Sequence, residues 1–320
     1  MKYSRDSEQA LMTELWDPAI ADDLEAFVLF AYPWGKANTP LADHQGPRTW
    51  QRDELQRITA HLKTQQGKMD LGLTPEMWRA ATASGRGIGK SALVSWLANW
   101  MMSTRLGSTT IVTANTEPQL KTRTFAEIGK WTTLLINSHW WEPTVLSVRP
   151  AEWYKQALSE QLKIDTQYYY CMGQTWSEEN PDAFAGVHNP AGVMLVFDEA
   201  SGIPVPIFSV SEGFFTEPTL NRFWSVYSNP RRNSGGFYDC FNEHKAYWRL
   251  RQVDSRTVEG TDPQLFERLI KQYGVESDTV KVEVLGQFPS QGTRQFISNQ
   301  LVQTAQTRTV EPDLGAPLIM

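Results

Sequence analysis

Ser84-Gly85-Arg86-Gly87-Ile88-Gly89-Lys90-Ser91 is the stretch whose reading decides the fold. The uncharged run Ala80-Ala81-Thr82-Ala83 before it suits a buried strand, and apolar residues recur at helical spacing after it. A glycine-rich turn between a strand and a helix aims backbone N–H groups and the helix N-terminus at one point, which favours a bound phosphate. Lys90 adds a positive charge there, and the Ser91 hydroxyl is a ligand for Mg²⁺. The pattern G-x-x-x-x-G-K-[ST] is met except at its first position, where Ser84 stands in place of glycine. Gly85, Gly87 and Gly89 keep the loop backbone permissive. Residues 84–91 are therefore predicted to cradle the phosphates of ATP.

Working outward, Ala92, Leu93, Trp96, Leu97, Trp100 and Met101 form an apolar helical stripe that Gly107 closes. Thr109–Ala114 reads as a β-branched strand, residues 117–137 as a helix, and Gln167–Met172 as a strand within an otherwise irregular, tryptophan-rich segment. Pairs such as Trp140-Trp141 suit core or hairpin packing better than base stacking. Val193-Met194-Leu195-Val196-Phe197 is continuously apolar, as expected of a central strand covered on both faces, and Phe223–Ser228 is a further strand. Strands alternating with helices predict an α/β P-loop NTPase of the ASCE type, with a mostly parallel sheet, helices on both faces and a small lid subdomain. Residues 1–48 read as a helical lead-in and 49–234 as the ATPase core, whose first helix runs from Thr49 to Gly67. Residues 235–290 read as the lid, with a helix at 262–273, and the polar stretch 291–320 as a linker that ends in a new strand at Leu318-Ile319-Met320.

Composition narrows the classes. A chain of 320 residues rich in aromatics has enough apolar surface for a large core, which excludes global disorder. Two cysteines, Cys171 and Cys240, make neither a disulfide framework nor a metal cluster, and the five histidines lack ligand spacing. The apolar run 26–32 is too short to span a bilayer, so the expectation is a soluble, intracellular protein without a membrane partner. A net charge of −6 argues against a broad surface that coats nucleic acid, while leaving local contact open.

Asp198-Glu199 ends the 193–197 apolar strand, and ligands of open α/β sheets bind beyond the carboxyl ends of the strands. Both acids are thus expected to face the phosphate loop, with Asp198 on Mg²⁺ and Glu199 polarising the attacking water. Alone, the pair would suit a solvated turn. An adjacent Glu favours hydrolysis over phosphate transfer to an acceptor. Arg86, inside the loop, is a candidate for stabilising charge on the γ-phosphate, or a surface arginine. Gln51 offers donor and acceptor to an adenine edge, or is a surface glutamine, and Ser228-Asn229-Pro230 ends a strand either where a polar group would sense the γ-phosphate or in a plain turn. Thr113-Ala114-Asn115-Thr116, where the strand after the loop helix ends, and Gln119 beyond it offer polar groups that are candidates for touching nucleotide or nucleic acid, or belong to a plain strand-ending turn.

Several ordered motifs resemble the N-terminal packaging ATPase of the large terminase subunit of tailed double-stranded-DNA bacteriophages. They are Phe30–Gly35, Gly46–Gln51, the arginine-bearing Ser84–Ser91 loop, Phe184–His188, Phe197–Pro204 and Ser228–Gly235, in register over nearly the whole chain. The resemblance implies that Lys90 and Ser91 bind phosphate and Mg²⁺, Asp198 is the metal acid and Glu199 the catalytic carboxylate. It also makes Arg86 the loop arginine, Gln51 the adenine contact and Ser228-Asn229 the coupling motif. The implied function is ATP-driven translocation of double-stranded DNA into a procapsid. That work would be done by a homo-oligomeric ring at the portal protein, aided by a small terminase subunit, in the host cytoplasm. The family usually continues into a ribonuclease H-like nuclease, whose acids cannot be assigned within these residues. Arg231 and Arg232 are candidates for an arginine acting in trans. A helicase-like remodelling ATPase and a nucleotide-dependent interaction module remain alternatives.

Overall fold

Every residue of Val193–Asp198 is buried, a pattern that only a strand covered on both faces sustains. In this computed structural model, which describes residues 3–290 together with Ala305 and Gln306, that strand lies within an eight-stranded sheet. The strands are β1 (Trp78–Ser84), β2 (Thr109–Thr113), β3 (Trp141–Pro143), β4 (Ser147–Pro150), β5 (Tyr170–Gly173), β6 (Val193–Asp198), β7 (Arg222–Ser228) and β8 (Arg249–Val253). Their order across the sheet is β3-β4-β5-β2-β6-β7-β1-β8. All pairings from β5 to β8 are parallel, and β3, β4 and β5 pair antiparallel at one edge. One strand, β7, separates the phosphate-loop strand β1 from the acid-bearing β6, the arrangement of an ASCE-type P-loop NTPase.

Side chains alternate between two apolar layers, as the strand period of two requires. Met194, Val196, Phe223 and Tyr227 join the layer under the helices Leu24–Ala31, Thr49–Asp70 and Lys90–Thr104. Leu195, Phe197, Trp224 and Val226 join the opposite layer, under Val205–Ser211 and Gly236–Phe241. Helices therefore cover both faces. Small Ala80, Ala81 and Ala83 of β1 are all buried, so both layers approach the sheet closely beside the phosphate loop.

Several boundaries differ from the sequence reading. The first core helix runs past Gly67 to Asp70, because a single glycine is tolerated inside a helix, and the chain turns at Gly72 with φ +74°. The tyrosine-rich strand starts at Tyr170; before it, Asp165 accepts from Gln167 N at 2.8 Å and holds a turn. The irregular 138–192 segment contains the hairpin β3–β4, into which Trp141 packs. The 235–290 boundary cuts through the sheet, since Arg249–Val253 pairs with β1 as β8; the small apolar cluster of Phe266, Val280, Val284 and Leu285 lies after it. Residues 3–48 share the main core through Leu15, Leu24, Phe27 and Val28 rather than standing apart. The segment expected as linker and its Leu318–Met320 strand lie outside the described residues.

Candidate nucleotide site

The loop between β1 and the Lys90–Thr104 helix is held by its carbonyl groups. Gly85 O accepts from Ser84 Oγ at 2.9 Å, and Arg86 O from Ser255 Oγ at 2.7 Å. Three side chains at the start of the Thr49–Asp70 helix take the next three carbonyls. Arg48 Nη1 donates to Gly87 O (2.7 Å), Trp50 Nε1 to Ile88 O (2.7 Å) and Gln51 Nε2 to Gly89 O (2.8 Å). Five successive loop carbonyls are thus engaged, and Gly85 N and Arg86 N donate to Val253 O and Glu283 O, which leaves the N–H groups of residues 87–89 as the loop's donors for a ligand. The first-turn N–H groups of the Lys90–Thr104 helix, which have no acceptor within the helix, add to that donor set. Two glycines make this path feasible. Gly89 has φ +88°, and a Cβ on Gly85 would lie 2.4 Å from Val284 O.

A cavity of about 860 Å³ opens beyond the carboxyl ends of β1 and β6. Arg86 to Ser91 line one wall, Asp198 and Glu199 another, and Asn229, Arg231 and Arg232 close a third. Lys90 Nζ donates to Ser84 Oγ at 3.0 Å and lies 3.4 Å from both Gly85 O and Asn229 Oδ1. Burial pushes the Lys90 ammonium below its ordinary value, against the pull of Glu199, Asp198 and Glu283. Burial likewise pushes the Asp198 carboxyl above its usual range, opposed by a hydrogen bond from Thr124. Glu199 occupies the left-handed region at φ +54°, a strained conformation for a residue with a side chain.

The residues singled out from sequence are thus partly brought together. Arg86, Gly87, Ile88, Gly89, Lys90, Ser91, Asp198, Glu199 and Asn229 line one cavity, as do Asn115 and Gln119. Ser84 is fully buried beneath the loop, and Ser228 is buried too, accepting from Ser201 N at 3.1 Å. Gln51 stands behind the loop. Its side chain is buried, its Oε1 accepts from Arg48 N at 2.9 Å and its Nε2 holds the loop, so it braces the loop and does not line the cavity. Arg231 and Arg232, read as candidates for action in trans, line the chain's own cavity.

Sequence reasoning missed Arg123 and Glu127, which line the cavity, and two residues that contact site side chains from behind. Glu283 pairs with the Arg86 guanidinium, accepting from Nη2 at 3.0 Å, and lies 3.6 Å from Arg231; it is about two hundred residues from the loop, and no local pattern marks it. Thr124 donates to Asp198 Oδ2 at 2.7 Å from a stretch read only as a helix. A Mg²⁺ ion fits the donors present. Octahedral Mg²⁺ takes one or two carboxylates, with water and phosphate oxygens completing its shell, and Asp198 with the Ser91 hydroxyl supplies such a set. Cys171 and Cys240 are buried, and burial pushes both thiols well up, which disfavours the thiolate form that a nucleophile needs. No helix among the described residues is long and apolar enough to cross a membrane.

Sheet order, loop and cavity define the class: a P-loop NTPase fold with its site at the carboxyl ends of the strands. No protein-family model matches the chain. Among curated proteins, the probable terminase large subunit of Enterobacteria phage P7 is 26% identical over 307 residues, covering 90% of this chain and 54% of that protein. The expected resemblance to large terminase subunits is met by this relative, and the chain spans about half its length. Similar solved structures include the Thermus phage P74-26 large terminase ATPase domain, at 17% identity and TM-score 0.48, covering 70% of this chain and 97% of that one. The large terminase of thermophilic bacteriophage D6E is 12% identical with TM-score 0.49, covering 72% of this chain and 53% of that one. Its complex with ADP is 13% identical with TM-score 0.47, covering 72% and 52%.

Proposed function

We propose that this chain is the Mg²⁺-dependent, ATP-hydrolysing motor part of a terminase large subunit, moving double-stranded DNA into a procapsid. The observation that carries the reading is the convergence of Lys90, Asp198 and Glu199 on one cavity lined by the phosphate loop. Lys90 and the loop N–H groups bind the β- and γ-phosphates, and Asp198 with Ser91 holds Mg²⁺. When bound, the ion neutralises phosphate charge. Glu199 orients and polarises the attacking water, for which its position at the strand end beside the loop is suited. Arg86 would stabilise charge on the γ-phosphate only after leaving Glu283.

Asn229 gives this chemistry an outlet. Its Nδ2 donates to Ser84 O at 2.9 Å while its Oδ1 lies beside Lys90, so it touches both β1 and the phosphate-binding ammonium. Arg86 N donates to Glu283 O at 2.9 Å, which ties the loop to the segment after β8. A change at the γ-phosphate would therefore reach that segment, the proposed lid, and move the DNA. From the resemblance come the remaining parts of the proposal: a ring of copies on the portal protein, a small terminase subunit as partner, and the host cytoplasm as location.

Phosphate release with and without duplex DNA tests this. The wild type should hydrolyse ATP faster with DNA, and Glu199→Gln should keep ATP binding while losing about 10²–10⁴-fold in rate. A Glu199→Gln protein with wild-type turnover would remove Glu199 from its role.

A further inference from the structure

Four threonines lie on the helical stretch from Glu117 to Thr133, and three of them, Thr122, Thr132 and Thr133, return their hydroxyls to carbonyls of that stretch, Pro118 O at 2.7 Å, Ile128 O at 2.8 Å and Lys130 O at 2.7 Å. This is the ordinary use of a helical threonine. Thr124 departs from it. Its hydroxyl leaves the helix and donates to Asp198 Oδ2 at 2.7 Å, with both residues buried. We propose that Thr124 is a positioning residue of the nucleotide site, orienting the Asp198 carboxylate toward the phosphate loop; the inference rests on the nucleotide reading above.

Three observations support a positioning role. The outer torsion of an aspartate is broad and two-fold, so a carboxylate on a strand end does not choose its own orientation. Here each oxygen is engaged from the protein side, Oδ2 by Thr124 and Oδ1 by Glu199 N at 3.1 Å, and the remaining lone pairs are left for the cavity. Second, the helix switches to π-type hydrogen bonding over Leu120–Phe125, the turn that contains Thr124. Such turns are rare and concentrate at functional sites. Third, the sheet makes room for this turn. A Cβ on Gly173, at the end of β5, would lie 2.9 Å from Phe125 and 3.1 Å from Leu120.

The test is equilibrium binding of a fluorescent ATP analogue in Mg²⁺ and in EDTA, for wild type, Thr124→Val and Thr124→Ser. Partners that orient a metal ligand are worth about 10–100-fold in metal affinity. Thr124→Val should bind the analogue in EDTA like the wild type and lose about tenfold of the Mg²⁺-dependent gain. The Mg²⁺ needed for half-maximal phosphate release should rise by a similar factor, and Thr124→Ser should restore both. Should the valine variant fail to fold, Thr124→Ala against Thr124→Ser makes the same comparison. A hydroxyl-free variant with wild-type Mg²⁺ dependence, or a serine variant that restores nothing, overturns the proposal. A wild type that binds no nucleotide in either buffer instead overturns the nucleotide reading on which the proposal stands.

Discussion

At the amino-terminal ends of β1, β7 and β8 the arginines are covered, whereas at the carboxyl ends of β1 and β6 the charges face an open cavity. Arg79 lies over the rings of Trp224 and Trp248, with centroids at 5.2 and 5.3 Å, and pairs with Glu212. Arg249 lies over Trp78 at 5.1 Å and faces His61 Nδ1 at 3.2 Å. Arg222 gives its guanidinium to the carbonyls of Pro75, Phe215 and Thr219. Across the sheet, Lys90 is desolvated beside Asp198 and Glu199, and Glu199 is strained. One end uses cations as packing material, with flat guanidinium groups on aromatic faces. The other keeps its cation and carboxylates apart from such cover, which is the arrangement expected where a charged ligand completes the set.

The contrast is broken most sharply by paired substitutions at the two ends. Lys90→Ala should weaken ATP binding by about 100-fold or more in equilibrium titration, since an ammonium at the phosphates is lost, yet leave the melting temperature near wild type. Arg79→Ala should do the reverse, lowering stability by about 1–2 kcal/mol in urea unfolding with ATP affinity unchanged. Equal effects of the two on binding would erase the distinction. Gln51→Ala belongs with the cavity end despite being buried. It frees Gly89 O and Arg48 N, so about tenfold weaker ATP binding should accompany a loss of about 1–2 kcal/mol in stability.

The smallest effect concerns pH and the packed end. Burial, with Arg249 adding to it, pulls His61 down to about 4 from an ordinary 6.5. Between those values the unfolded chain carries a proton that the folded protein refuses. Stability should therefore fall as pH drops from about 6.5 to 4, and this contribution should level off below. After allowance for solvent screening the loss is about 1–2 kcal/mol, read from urea midpoints against pH. His61→Leu should flatten that part of the profile, and an unchanged slope would assign the titration to another group.

What the sequence disclosed follows from how local each signal is. The phosphate loop and the apolar strand Val193–Phe197 carry their information in consecutive residues, so β1, β6 and the facing acids were legible. Strand β8 was not, because Arg-Leu-Arg-Gln-Val at a sheet edge needs apolar cover at only some positions and resembles a polar connector. The bond from Gln51 to Gly89 O was not legible, since an amide suits a backbone carbonyl as well as an adenine. Glu283 and Thr124 meet Arg86 and Asp198 only through the tertiary fold, and no spacing rule reaches across 197 or 74 residues.

The most direct test of the central claim is a crystal structure with Mg²⁺ and a non-hydrolysable ATP analogue. The account predicts the β- and γ-phosphates on the N–H groups of residues 87–91, contacted by Lys90, with the metal held by Ser91 and Asp198 and with Glu199 facing the γ-phosphate. An analogue bound elsewhere, or phosphates seated in this cavity with Asp198 turned away from the metal, would contradict it.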